Sequence, residues 1–87
     1  MTAFQEAPSP APYRDHTGRV AKVGFTADKD SGVAGEWMWV EIAGWNEDGY
    51  YGRLLNEPVH IAGLSYGDEV HGFDERHIYQ SEPAQVG

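Results

Sequence analysis

Between Arg19 and Tyr79 the hydrophobic and polar positions alternate with a period of two, the signature of half-buried strands. No segment sustains the i, i+3, i+4, i+7 spacing of an amphipathic helix. Arg19–Thr26 places Ala21, Val23 and Phe25 on one face, with Val20, Lys22 and Gly24 on the other. The next stretch, through Gly35, collects Asp28, Asp30, Ser31 and Gly32, which is loop chemistry. Glu36–Trp45 carries the strongest strand pattern: Met38, Val40 and Ile42 form an apolar face, and Trp37, Trp39, Glu41, Ala43 and Trp45 the opposite one. Asn46-Glu47-Asp48-Gly49 predicts a tight turn with Gly49 at positive φ. Tyr50–Leu55 then returns as the second arm of a hairpin, which Asn56-Glu57-Pro58 ends. A short strand is expected at Val59–Ile61, a turn at Leu64–Asp68, a strand at Glu69–Phe73, and a last edge at Ile78 and Tyr79.

Short strands punctuated by glycine predict a mainly β fold. The expected form is a small curved antiparallel sheet or open barrel, with room for one short helix. Met38, Val40, Ile42, Val23, Phe25, Leu54 and Val70 are its expected core. Residues 1–13 hold Pro8, Pro10 and Pro12 in alternation. Proline cannot donate to a ladder, so this segment reads as a flexible arm. Residues 14–79 form the single β domain, and residues 80–87, with Pro83, read as a flexible tail.

Charge narrows the function classes. Among 87 residues, 14 acids face 6 bases, a net charge of -8. The excess lies within residues 14–79 rather than in the termini. Such a field repels phosphate backbones, so no direct nucleic-acid contact is expected. No apolar run approaches the ~20 residues of a membrane span and no basic leader precedes one, which points away from the membrane and to a cytoplasmic location. Without cysteine there is no disulfide, thiol nucleophile or thiolate zinc site.

Catalytic patterns are equally sparse. His60, His71 and His77 lack metal-ligand spacing, and no metal or cofactor is expected. Ser9, Ser31, Ser65 and Ser81 fall in expected turns or tails, outside any nucleophile-elbow context. The chain therefore reads as a non-enzyme. Trp37 and Trp45 instead suggest recognition, because aromatic side chains dominate binding hot spots. Ringed by solvated acids, such anchors suit a protein partner with a basic surface. The candidate partner-binding residues are Asp28, Asp30, Trp37, Trp45, Glu47, Asp48, Tyr50, Tyr66, Asp74 and Glu75. The expected role is an inhibitor or immunity protein. An alternative is a phage-type inhibitor of a host nucleic-acid-binding defence complex, an anti-CRISPR protein or DNA mimic, and a third is a passive accessory domain. A homodimer through an unpaired sheet edge also stays open.

Four runs carry a resemblance: Trp39-Val40-Glu41-Ile42, Gly52-Arg53-Leu54-Leu55-Asn56-Glu57-Pro58-Val59, Gly67-Asp68-Glu69-Val70 and His77-Ile78. In this order they resemble a family of small bacterial domains of unknown function, partly grouped with immunity proteins of polymorphic toxin systems. The resemblance covers roughly Val23 to Ile78 and implies no catalytic residues. The chain departs from the pattern in its long acidic loop and at His71-Gly72.

Overall fold

The computed structural model describes residues 3–11 and 15–84. Five strands run β1 (Arg19–Thr26), β2 (Gly35–Asn46), β3 (Gly49–Leu54), β4 (Glu69–Phe73) and β5 (Ile78–Pro83). They form one antiparallel sheet in the order β4-β3-β2-β1-β5, which stays open. Only two short 3-10 turns interrupt the described chain, Lys29–Ser31 and Glu75–His77.

The period-two reading is borne out in the register. Val23 lies opposite Met38, Ala21 opposite Val40, and Val40 opposite Leu54. Cross-strand partners share a face, so Ala21, Val23, Phe25, Met38, Val40, Ile42, Leu54, Val70, Phe73 and Ile78 gather into one buried core. The seven residues named as core from sequence are all in it. Gly49 has the positive φ expected of the β2–β3 turn, and the Asn46 side chain accepts from the Asp48 amide there. At Gly52 any Cβ would collide with the Glu41 carbonyl, so this glycine permits the close approach of β3 to β2.

Several expectations are corrected. Residues 3–11, read as part of a flexible arm, lie against the sheet. Phe4 bridges to Phe25, and the amides of Gln5, Ala7 and Ala11 donate to the carbonyls of Gly24, Arg76 and Ile78. β5 pairs with β1 only as far as Val23, and the arm takes over that edge beyond it. Phe4 then sits 5.2 Å from Phe25 and 5.4 Å from Phe73, ring centre to ring centre. Pro12 and Tyr13 lie outside the described residues, as do Met1, Thr2 and the last three residues of the expected tail. The start of that tail is strand: β5 pairs through Pro83, opposite Arg19. Val59–Ile61 is not a strand. The β3–β4 connection is held instead by carboxylates, with Glu36 accepting from the amides of Val59 and His60 and Asp28 from that of Ala62. Just past β3, the Asn56 side chain accepts from the Trp39 amide at 2.5 Å.

The tryptophan face also changes. A register shift between Ile42 and Gly44 breaks the alternation of β2, as an inserted residue does in a bulge. Trp45 consequently pairs with Tyr50, a core-facing residue only 8% exposed. Trp37 remains on the outer face, 5.8 Å from Tyr79, and Trp39 beside it is half-buried.

Candidate functional site

At the hairpin end of the sheet, three connections converge. The β2–β3 turn supplies Trp45, Gly49 and Tyr50, the β4–β5 turn supplies Asp74 and Glu75, and the segment before β1 supplies Asp15. Together they line an open cleft of about 320 Å3. Trp45 is its exposed wall, with 66% of its surface open to solvent. Glu47 and Asp48 stand exposed on the adjoining turn.

Behind the cleft lies a buried polar chain that the sequence did not reveal. His16 is 0% exposed. Its Nε2 faces the Glu75 Oε2 at 2.7 Å, and its Nδ1 lies 2.8 Å from the Ser81 Oγ. Neither His16 Nε2 nor Glu75 Oε2 has a hydrogen-bond partner of good geometry, so the two meet as a close polar contact rather than an aligned hydrogen bond. The Tyr50 hydroxyl donates to the Glu75 Oε1 at 2.5 Å, and Arg19 Nε donates to the Ser81 Oγ at 3.1 Å. One proton arrangement suits the Ser81 side of the chain: Ser81 accepts from Arg19 and donates to Nδ1, which puts the ring proton on Nε2, toward Glu75. Ser81, His16 and Glu75 are the residue types of a hydrolytic triad, yet the imidazole is sealed and the hydroxyl is occupied by a guanidinium. The arrangement fixes Glu75 and Tyr50 at the cleft floor.

The environment shifts three groups. Burial, reinforced by the bond to Glu75, pushes the Tyr50 hydroxyl up to about 12. The Thr17 amide and side chain hold Asp15 below the usual carboxylate range. Burial lowers His77, whose Nδ1 accepts from the Asp74 amide at 3.0 Å. The 3.5 Å approach of that same nitrogen to the Asp74 carboxylate is therefore no ion pair, since an accepting nitrogen carries no proton.

The ten residues expected to bind a partner divide. Trp45, Glu47, Asp48, Tyr50, Asp74 and Glu75 come together at the cleft end, although Tyr50 is buried and contributes its ring edge and hydroxyl rather than an exposed anchor. Asp28 and Asp30 lie in the β1–β2 connection, at the other end of the twelve-residue β2. Asp28 there serves the fold. Trp37 faces a separate shallow groove with Pro8, Lys22 and Tyr79. Tyr66 is 63% exposed in the β3–β4 connection, outside the cleft lining. Asp15, His16 and Ser81 were missed. They sit in an irregular segment and a presumed tail, where periodicity says nothing; only the register of Ser81 opposite the core residue Ala21 hints at an inward face.

Among the described residues no group of three His, Asp or Glu side chains is placed to hold a metal ion, and no helix is long and apolar enough to cross a membrane. No curated protein and no solved structure matches the chain. A family model does match, over residues 13–79, and its family is described as an uncharacterized protein conserved in bacteria, DUF2314. That span takes in all but one side of the cleft's buried support, and the chain belongs to this bacterial family.

Proposed function

We propose that the chain is a non-enzymatic binding protein that captures and neutralises a protein with a basic surface, through the hairpin end of its sheet. One observation carries the reading: an indole 66% exposed stands beside a cleft whose charged lining is entirely acidic. Exposed tryptophan offers a large apolar contact, and the acids around it steer and orient a cationic partner. The immunity-type role implied by the resemblance fits this mode of action. Nuclease toxins and nucleic-acid-binding host complexes both present such surfaces, because both must attract phosphate.

The test is surface plasmon resonance against a basic protein recovered from lysate by the immobilised chain. Association is expected to slow as salt rises and the Debye length falls from ~30 Å at 0.01 M to ~10 Å at 0.1 M. Reversing Glu47 and Asp48 to Lys lowers the association rate, whereas Trp45→Ala raises the dissociation rate. Binding indifferent to both salt and the charge reversal overturns the reading.

A further inference from the structure

The cleft is more selective than a diffuse acidic surface. Its lower wall is Tyr50, whose ring packs on Phe73 at 5.8 Å and meets His16 edge-on at 5.9 Å, so it does not swing. Its upper wall is Trp45, turned to this side by the β2 bulge. Asp15, Asp74 and Glu75 provide the polar rim. At about 320 Å3 the space is at the small end of ligand sites, matched to one side chain rather than to an extended ligand.

One rim acid, Asp74, already bonds a cation, which leaves Asp15 as the rim acid for an incoming one. Arg76 bonds Asp74 through Nε at 3.1 Å, and Arg19 bonds Ser81. Neither lines the cleft. The Thr17 amide orients the Asp15 carboxylate by donating to its Oδ1 at 2.9 Å. An aromatic face combined with oriented carboxylates is the chemistry that receives a planar cation. A guanidinium stacks on an indole and bonds carboxylate through two parallel N–H groups, and it is more weakly hydrated than an ammonium.

We infer that the cleft between Trp45 and the Asp15–Glu75 rim is a receptor for a single arginine side chain of the partner. This rests on the reading of the chain as a binder of basic surfaces, and adds to it the residue that is read. Lysine satisfies the charge but not the stacking plane, so it is held less well.

Two probes separate the two claims. Acetyl-arginine methylamide and acetyl-lysine methylamide are titrated into the whole 15N-labelled chain, and an oligolysine decamer is titrated separately, all followed by heteronuclear NMR. The arginine probe is expected to move the Trp45 indole N–H and the amides of Gly49, Tyr50 and Glu75. Trp45→Ala weakens it about two- to fivefold, the loss of one cation–π contact near the surface. Asp15→Asn, which keeps the acceptor for Thr17, weakens it as well. The lysine probe binds more weakly than the arginine probe. If arginine shifts are spread over all acidic loops, or match those of lysine, while oligolysine still binds in a salt-dependent way, the arginine receptor is overturned and the electrostatic reading stands. If oligolysine also fails to bind, both fall.

Discussion

Replacing His16 by alanine tests whether the buried polar chain holds this end of the fold together. The ring is wholly enclosed and makes two polar contacts, 2.8 Å to Ser81 and 2.7 Å to Glu75. The neutral bond to Ser81 contributes ~1 kcal/mol, and removing the imidazole strips the buried Glu75 Oε2 of its close polar neighbour, at ~1–3 kcal/mol. The void left by the imidazole adds a further ~1 kcal/mol or so. Glu75 Oε1 keeps Tyr50, and Ser81 keeps Arg19, so nothing beyond Oε2 is orphaned and the total stays near ~3–5 kcal/mol. A chain of 87 residues has only ~4–13 kcal/mol to lose. Urea unfolding followed by tryptophan fluorescence reads the change: with a slope near ~1 kcal/mol per M, the midpoint falls by ~3 M or more. Ser81→Ala removes only the neutral contact and costs ~1 kcal/mol. In the His16→Ala/Glu75→Ala cycle, the double variant loses at least ~1 kcal/mol less than the sum of the singles. A loss under ~1 kcal/mol for His16→Ala, or a coupling within the ~0.3–0.5 kcal/mol of simple additivity, refutes the reasoning and makes the ring mere filler.

Two further outcomes are expected. Phe4→Ala removes the ring that packs on Phe25, Phe73 and His77 and costs ~2–3 kcal/mol for a half-buried aromatic; faster amide exchange at Gln5 and Thr26, which the arm ties to β1, separates this from a general loss of stability. In a spectrophotometric titration at 295 nm, Tyr50 ionises near about 12, well above the ordinary ~10; because the folded value is the higher one, its contribution to stability is complete below ~10 and is lost as pH rises toward the folded value, and Tyr50→Phe removes that high-pH step.

The parts of the fold that repeat every second residue were readable, and the parts built from single contacts were not. Val23, Met38, Val40 and Leu54 were placed by alternation alone, because a one-residue error in register would turn them all to solvent. Gly49 announced a turn, since its positive φ favours glycine. The arm defeated the same logic. Pro8 and Pro10 argued against a ladder, yet the amides that do bond belong to Gln5, Ala7 and Ala11, between and beside the prolines. Trp45 was assigned to the wrong side because alternation was carried through Ala43-Gly44, where the bulge lies; Gly44, which packs under the Tyr51 hydroxyl, was the available warning. His16 had no local signal, for its partner Ser81 is 65 positions away.

The two ends of the sheet use their acids in opposite ways, and this is what singles out the cleft. At the β1–β2 end, Asp28 and Glu36 accept backbone amides from the β3–β4 connection. Their oxygens are occupied in holding a loop that has no strand ladder of its own, and they have little left to offer a partner. At the hairpin end the dependence runs the other way. His16, from the segment before β1, and Tyr50, from β3, enclose Glu75 from behind, and Ser81 of β5 holds His16 in turn. They thereby also set the positions of its neighbour Asp74 and of Asp15, which directly precedes His16. Here the fold holds the acids rather than the acids the fold. Glu75 spends its oxygens on Tyr50 and His16, and Asp74 bonds Arg76; it is Asp15, oriented by the Thr17 amide, that loses little freedom when a cation arrives, so more of the contact energy appears as affinity. Charge alone is nearly as abundant elsewhere on the molecule; preorganised charge beside an exposed indole is what the hairpin end provides.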